Sequence, residues 1–278
     1  EIDKNEMASL IFTSGTTGVS KGVMLSHHNI SFNLTEMCQM IYIGPEDTFL
    51  SVLPLHHAYE CTCGFLCQIY RGSTIAYCEG LRYIMKNMKE VHPTMILCVP
   101  LLIETMYHKI WANIRKNGME KMVKKALAAS NASRKIGIDL RKKLFSEIHE
   151  TFGGKLRMMI AGGAAVDPDI LKGLRDFGIL AVQGYGLTEC APLAAVNRDK
   201  FYCDSSAGLA TPNATLEIVD AAEDGTGDIR FKGENIMLGY YKAPELTAEV
   251  IVDGWLYTGD LGFIDKDGFL HITGRRKN

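Results

Sequence analysis

The segment Phe12-Thr13-Ser14-Gly15-Thr16-Thr17-Gly18-Val19-Ser20-Lys21-Gly22 combines three glycines, a run of hydroxyl residues and one lysine directly after an apolar stretch. That mixture suits a polyphosphate. Glycines let backbone N–H groups converge on one anion, hydroxyls donate to its oxygens, and an ammonium balances its charge. Thr13, Ser14, Gly15, Thr16, Thr17, Gly18 and Lys21 are therefore candidate phosphate ligands. The order is not that of a Walker A loop, which sets Gly-Lys-Ser/Thr in sequence; here Ser20 precedes the lysine and Gly22 follows it. A merely flexible turn accounts for the glycines but leaves the hydroxyls and the lysine unexplained. Further on, Ala161-Gly162-Gly163-Ala164-Ala165 offers side chains small enough for a flat ring to approach the backbone.

These groups need a scaffold. The first two-thirds of the chain alternate short apolar runs with helical stretches. Strands are predicted at Ala8–Phe12, Thr48–Leu53, Ser73–Tyr77, Thr94–Val99, Leu156–Ile160 and Leu180–Gln183, and helices at about His28–Ile41, Ala58–Tyr70, Leu81–Val91 and Leu101–Lys116. In the last helix Leu101, Leu102, Met106, Ile110 and Trp111 recur at helical spacing behind Pro100. Such alternation implies an α/β fold with a parallel-rich sheet layered with helices. From about Cys203 short strands follow one another at Thr215–Val219, Asp228–Lys232, Asn235–Leu238, Trp255–Tyr257, Gly262–Asp265 and Phe269–Thr273, punctuated by glycine turns. This reads as a small antiparallel β subdomain. The expected organisation is a central α/β subdomain over 1–200, a β-rich subdomain over 201–274, and the start of a hinge at 275–278.

Composition bounds the function. Of 278 residues, 47% are hydrophobic and 22% charged, which is ordinary for a globular chain. Thirty Lys+Arg against 32 Asp+Glu leave a charge of -2, which argues against a globally basic nucleic-acid binder. No apolar run approaches the roughly 18–20 residues that cross a bilayer. The eight cysteines form no CxxC pair, so reduced, mostly buried thiols in a cytoplasmic chain are expected rather than disulfides or a zinc cluster. Sequons at Asn33, Asn131 and Asn213 are then without meaning. One stretch breaks the charge balance: Arg115–Lys143 holds ten Lys/Arg against Glu120 and Asp139. It reads as a solvated helical excursion or as a peripheral membrane contact, where each cation adds about 1 kcal/mol near an anionic surface. No aromatics interleave with it, so nucleic acid is not the expected partner.

With these motifs in order, the chain resembles the adenylate-forming superfamily of acyl-CoA synthetases, luciferases and peptide-synthetase adenylation domains. The loop resembles that family's phosphate loop, with Ser20 where proline is usual. Leu53-Pro54-Leu55-His56-His57-Ala58-Tyr59-Glu60 resembles the stretch that carries a histidine beside the substrate carboxylate; aligned on Pro-Leu-x-His-x-x-Glu, His57 takes that role, and the form is similar to long-chain fatty acyl-CoA synthetases. A helix-entry histidine bonded to backbone is the plainer reading of His57, and His56 is its neighbour. By the same resemblance Gly163, Ala164 and Ala165 line the adenine and acyl pocket. Gln183-Gly184-Tyr185-Gly186-Leu187-Thr188-Glu189 resembles the family's Gly-Tyr-Gly-x-Thr-Glu. There Tyr185, between Gly184 and Gly186, stacks on adenine, Thr188 touches the α-phosphate and Glu189 holds Mg²⁺, a hard cation suited to carboxylate oxygens. Gly227–Gly233 through Met237–Tyr241 resembles a structural motif. Trp255–Asp260 resembles the ribose site, with Asp260 accepting from both hydroxyls, and Gly274-Arg275-Arg276-Lys277-Asn278 resembles the hinge, with Arg275 on ribose and phosphate.

The resemblance implies ATP-dependent activation of a small-molecule carboxylic acid, medium- or long-chain fatty acids first, to acyl-AMP and then to acyl-CoA. ATP, Mg²⁺ and coenzyme A are the implied partners. Lys21, His57, Thr188 and Glu189 are the expected catalytic groups. The start at Glu1 without Met and the stop after Lys277 read as cuts from a longer protein, lacking the family's mobile C-terminal domain and therefore nearly inactive alone. Two other readings share the motifs: an acyl-AMP ligase that loads a carrier protein, and a non-catalytic nucleotide- or acyl-binding module. Oligomeric state is not written in the sequence.

Overall fold

The computed structural model describes residues 2–14 and 20–276. The chain opens with strands β1 (Met7–Ser14) and β2 (Ser20–Ser26). They pair antiparallel, so that Thr13 faces Lys21. The sequence reading placed Lys21 in the loop and β1 in the parallel alternation. Both shift for one reason: a connection this short returns the chain beside itself, whereas a parallel partner needs a crossover. Helix α1 (His27–Met40) follows at once because Ser26 and Asn29 cap it reciprocally, each side chain accepting the other's backbone N–H at 3.0 and 2.9 Å.

Strand β3 (Thr48–Ser51) is followed by a π-helix (Tyr59–Leu66) that runs into α2 (Cys67–Arg71). The single α-helix expected at Ala58–Tyr70 is thus wound more loosely in its first half. Next come β4 (Thr74–Tyr77), a 3₁₀ turn at Leu81–Tyr83, α3 (Ile84–Val91), β5 (Met95–Cys98) and α4 (Pro100–Lys116). In α4 the buried stripe is Ile103, Met106, Ile110 and Ile114, while Leu101 stands 73% exposed on the first turn. The basic stretch runs from the end of α4 through α5 (Glu120–Arg134) into α6 (Arg141–Leu144), and α7 (Ser146–Thr151) follows it. After it come β6 (Met158–Ala161), α8 (Pro168–Asp176), β7 (Leu180–Gly186) and β8 (Leu193–Val196). The remainder is β9 (Leu209–Ala210), β10 (Thr215–Val219), β11 (Gly227–Lys232), β12 (Gly239–Tyr240), α9 (Pro244–Val250), β13 (Ile251–Val252), β14 (Trp255–Ile264) and β15 (Leu270–Arg275).

Two expectations in this last part are corrected. Asn235–Leu238 is a turn rather than a strand, because its polar groups bond to a neighbouring loop: Asn235 Nδ2 donates to the carbonyls of Cys190 and Leu193, and Met237 N–H to that of Glu189. The strands expected at Trp255–Tyr257 and Gly262–Asp265 are one strand, β14, whose ladder with β11 carries an irregularity between Asp228 and Arg230. Of the eight cysteines, none of them in a disulfide, four are buried and four half-buried.

The chain divides into two compact units. One comprises 44–53 and 72–183. Here β4, β3, β5, β6 and the first half of β7 form a parallel sheet in that order. Its core holds Ile96, Ile103, Met159 and Leu174, with Phe145 packed edge-on against Phe177 at 5.2 Å. The other unit comprises 1–43, 54–71 and 184–278. It contains the β1-β2-β12 sheet, the antiparallel continuation of β7 through β8 to β9, and the sheet β10-β11-β14 with β13 and β15. The α/β class with parallel-rich and antiparallel parts is thus what the sequence implied. No helix among the described residues is long and apolar enough to cross a membrane.

The parallel register is fixed by one buried carboxylate. Asp47 accepts from Thr94 Oγ1 at 2.6 Å, Gly44 N–H at 3.0 Å and the Arg157 fork at 3.0 and 2.7 Å. It thereby ties the entries of β3, β5 and β6. Burial alone pushes its pKa up, but the bonds from Arg157, Thr94 and Gly44 outweigh this and hold it below the usual carboxylate range. Asp47→Ala is expected to cost about 3 kcal/mol in urea unfolding at pH 7. Because the folded pKa is depressed, the contribution is present above about pH 4 and lost as pH falls through the folded value. The gap between wild type and variant should therefore narrow at pH 3, and an undiminished gap would show that Asp47 acts through shape alone.

Candidate functional site

Strand β7 ends in Gly184-Tyr185-Gly186 because the backbone of β8 comes too close for side chains. A Cβ on Gly186 would lie 2.0 Å from the Pro192 carbonyl oxygen, and one on Gly184 3.0 Å from that of Ala195. Between these glycines Tyr185 is buried, and its hydroxyl donates to Asp260 Oδ2 at 2.6 Å. Arg275 Nε donates to Asp260 Oδ1 at 2.9 Å. One carboxylate at the centre of β14 thus joins the end of β7 to β15. Burial and the Asp260 charge push the Tyr185 pKa well above the ordinary phenol value, so it remains a donor. Arg275 in turn is held more firmly protonated by its bond to Asp260.

The loop after β7 carries Thr188 and Glu189 in a 3₁₀ turn, Thr188–Cys190. Two buried asparagines clamp it: Asn33 of α1 and Asn235 both donate to the Leu193 carbonyl, and Asn33 Oδ1 accepts from Leu193 N–H. Glu189 Oε1 accepts from the Tyr240 hydroxyl at 2.8 Å. Burial and the Glu189 charge push the Tyr240 pKa up, which keeps it the donor. Lys21 Nζ stands 5.1 Å from the centre of the same tyrosine ring. Tyr240 is thus one body that positions both an ammonium and a carboxylate.

Thr13, Lys21, Gly186, Thr188, Glu189 and Arg275 line one cavity of about 560 Å³. Its wall also includes Tyr240 and Thr258, which the sequence reading did not single out for the site. Thr258 Oγ1 donates to the Ile229 carbonyl and accepts from Asp260 N–H, so it fixes the turn that presents Asp260. Tyr240 sat inside a stretch read as structural; no spacing relates it to Glu189, 51 residues away in the chain. Gly15, Thr16, Thr17, Gly18 and Lys277 lie outside the described residues, as does the side chain of Ser14. Gly163, Ala164 and Ala165 are exposed at the end of β6 in the other unit, where Gln183 Oε1 holds the following Val166 N–H at 2.8 Å. His57 is exposed before the π-helix, its ring 4.6 Å from that of His56 and its carbonyl accepting from Cys61 N–H. It does not line the cavity.

Chemically, the cavity lining offers the Lys21 ammonium, the Arg275 and Arg276 guanidiniums, hydroxyls, and the carboxylates of Glu189, Asp228 and Glu249. Cations and hydroxyls suit an anionic, phosphate-bearing ligand. Among the described residues the Tyr240 hydroxyl bonds Oε1 of Glu189, and a carboxylate beside cations and hydroxyls is a donor that fits Mg²⁺.

The family model for AMP-binding enzymes matches residues 1–241, and the chain belongs to this family. It is similar to long-chain-fatty-acid–CoA ligase 1 of Cavia porcellus, 31% identical over 296 residues, covering 99% of this chain and 42% of that protein. The peroxisomal long chain acyl-CoA synthetase 7 of Arabidopsis thaliana is 32% identical, over 98% of this chain and 41% of its own length. The chain therefore spans about two-fifths of these relatives. In fold it is similar to ATP-bound MatB from Rhodopseudomonas palustris, with a TM-score of 0.74 at 24% identity over 99% of this chain and 49% of that one. A malonyl-CoA ligase in complex with methylmalonyl-CoA and AMP gives 0.76 at 23% identity, covering 99% and 54%.

The buried hydroxyl–carboxylate bond is testable. Tyr185→Phe leaves Asp260 one donor short and is expected to cost about 1–3 kcal/mol of stability. In a double-mutant cycle with Asp260→Asn, urea unfolding should show coupling of about 1 kcal/mol or more. Additive losses would mean that the two residues do not support one another.

Proposed function

We propose ATP-dependent activation of a carboxylic acid as the reaction to which this chain contributes, with the acid joined first to AMP and then to coenzyme A. The observation that supports it is the single cavity bearing Lys21, Thr188, Glu189 and Arg275 in a chain of the AMP-binding enzyme family. A carboxylate is a poor acyl donor. Its oxygen attacks the α-phosphorus, the bond to the pyrophosphate oxygen breaks, and the acyl phosphate so formed carries AMP as a good leaving group. A thiol then takes the acyl carbon and AMP departs.

The chain's own groups serve this as follows. Arg275 and Asp260 would orient the ribose, Asp260 being held in place by Tyr185 and Arg275 with lone pairs left to accept from hydroxyls. Thr13, Thr188 and Lys21 donate to phosphate oxygens as negative charge shifts toward the leaving group, fixed dipoles that need no reorganisation. Glu189 would hold Mg²⁺, which when bound supplies positive charge to the phosphates. Fatty acids are the substrate class favoured by the relatives' names and by the Pro-Leu-x-His-x-x-Glu sequence around His57. Each methylene buried in an acyl slot would add up to about 0.8 kcal/mol.

We further propose that the basic stretch is a peripheral membrane contact. Ile136, Ile138, Leu140 and Leu144 are exposed among Lys135, Lys142 and Lys143, the pairing of apolar tips and cations that an anionic interface accepts.

Calorimetry should detect binding of both AMP and Mg·ATP to the chain; neither heat nor thermal shift at millimolar nucleotide would overturn the nucleotide reading. Glu189→Gln should weaken Mg·ATP by about tenfold while AMP in chelator hardly changes, and Tyr240→Phe should act the same way by a smaller factor. Equal loss for both ligands would make Glu189 structural. For the membrane contact, sedimentation with phosphatidylserine vesicles should exceed that with neutral vesicles and fall on Lys142→Glu/Lys143→Glu; equal sedimentation of both proteins would refute it.

A further inference from the structure

We propose that Cys203, Asp265 and His271 form a binding site for a divalent cation of the zinc class, independent of the nucleotide cavity. One sulfur, one carboxylate oxygen and one imidazole nitrogen lie within 4.8 Å of one another, and this is the only such group of three among the described residues. All three residues are half-buried, and Asp265 and His271 side chains are only 26% and 15% exposed. Thiolate, imidazole and carboxylate together are the donor set of zinc rather than of magnesium or calcium, which take oxygen.

The ligands come preorganised. Asp265 begins the turn between β14 and β15, where its Oδ1 accepts from Asp267 and Phe269 N–H at 3.0 Å. That leaves Oδ2 directed at His271 Nε2, 2.9 Å away. The His271 ring is stacked on Phe263, 4.7 Å between centres and 5° from parallel, which fixes its plane. Cys203 lies on the connection from β8 to β9, and its backbone is held on both sides: Cys203 N–H donates to Asn197 Oδ1, and Ser206 Oγ to the Cys203 carbonyl. That connection is pinned to β15 without any metal, since Ala207 N–H donates to the Leu270 carbonyl at 2.7 Å and Phe201 packs on Phe269. Donors in a tetrahedral zinc site stand roughly 3.3–3.8 Å apart, given bonds of about 2.0–2.3 Å. The cluster therefore needs the His271–Asp265 pair to open slightly and Cys203 to close on it, a rotamer-scale adjustment.

On binding, the metal takes the place of the proton between His271 and Asp265. The ring presents Nε2 with its proton on Nδ1, and the Cys203 thiol releases its proton to solvent. Three protein ligands leave the fourth position to water. The consequence is mechanical: the cation would staple the β8–β9 connection to the β14–β15 hairpin, the hairpin that carries both Asp260 and Arg275.

The test uses the reduced 278-residue chain with Zn²⁺ and Co²⁺ as probes. Competition against a chromophoric chelator should show one equivalent of Zn²⁺ bound by the wild type, and Co²⁺ should give a thiolate-to-metal charge-transfer band in the near ultraviolet. Cys203→Ser should abolish that band and, like His271→Ala, weaken Zn²⁺ by more than tenfold, while Cys78→Ser leaves both unchanged. Zn²⁺ should also raise the melting temperature of wild type and not of Cys203→Ser, a variant that touches only a loop and so keeps the test open if His271→Ala fails to fold. Absence of the band from folded wild type, or its persistence in Cys203→Ser, would overturn the proposal.

Discussion

A carboxylate with almost no access to water sits at the centre of strand β14. Asp260 is 6% exposed, and its position is tolerable only because a phenol and a guanidinium meet its two oxygens. That requirement draws three strands to one point. It obliges β7 to end where Tyr185 can reach, β14 to present Asp260 inward, and β15 to run on to Arg275. The glycines flanking Tyr185 follow from it, since the strand must press against β8 to bring the phenol into place.

A second set of buried polar groups does the same for the loop that bears Thr188 and Glu189. Loops seldom bury their carbonyls, because unmet backbone groups are costly. Here Asn33 and Asn235 supply the missing donors from two distant parts of the chain, and Tyr240 fixes the Glu189 carboxylate. The loop can therefore be both irregular in backbone and definite in where it points. Tyr240 adds a link of its own, because the ring that bonds Glu189 also faces Lys21 across the β1–β2–β12 sheet.

Electrostatics and topology are thus the same design seen twice. Asp47 with Arg157 orders the entries of the parallel strands, and Asp260 with Arg275 orders the ends of antiparallel ones. In each case an arginine fork or arm reaches a carboxylate that hydroxyl or amide donors have already oriented. The metal cluster proposed at Cys203, Asp265 and His271 repeats the pattern on the far end of the β14–β15 hairpin, where the carboxylate is oriented by its own turn.

Part of the cavity lining was legible in the sequence. Thr13, Lys21, Thr188, Glu189 and Arg275 could be named because the Gly/Ser/Thr/Lys loop, Gly-Tyr-Gly-x-Thr-Glu and Gly-Arg-Arg-Lys are contiguous strings, and contiguous strings survive without a fold. Most strands were legible for the same reason, since apolar runs bounded by glycines need no partner to be seen. The turn at Asn235–Leu238 was not. Its residues look like a strand until Cys190, Leu193 and Glu189 arrive to claim their hydrogen bonds. Tyr240 beneath Glu189, Leu101 turned to water, and Cys203 beside His271 were decided only by tertiary structure. Each depends on segments tens of residues apart meeting in space, and a hydrogen bond or a ligand sphere carries no mark in the sequence of how far apart its members stand.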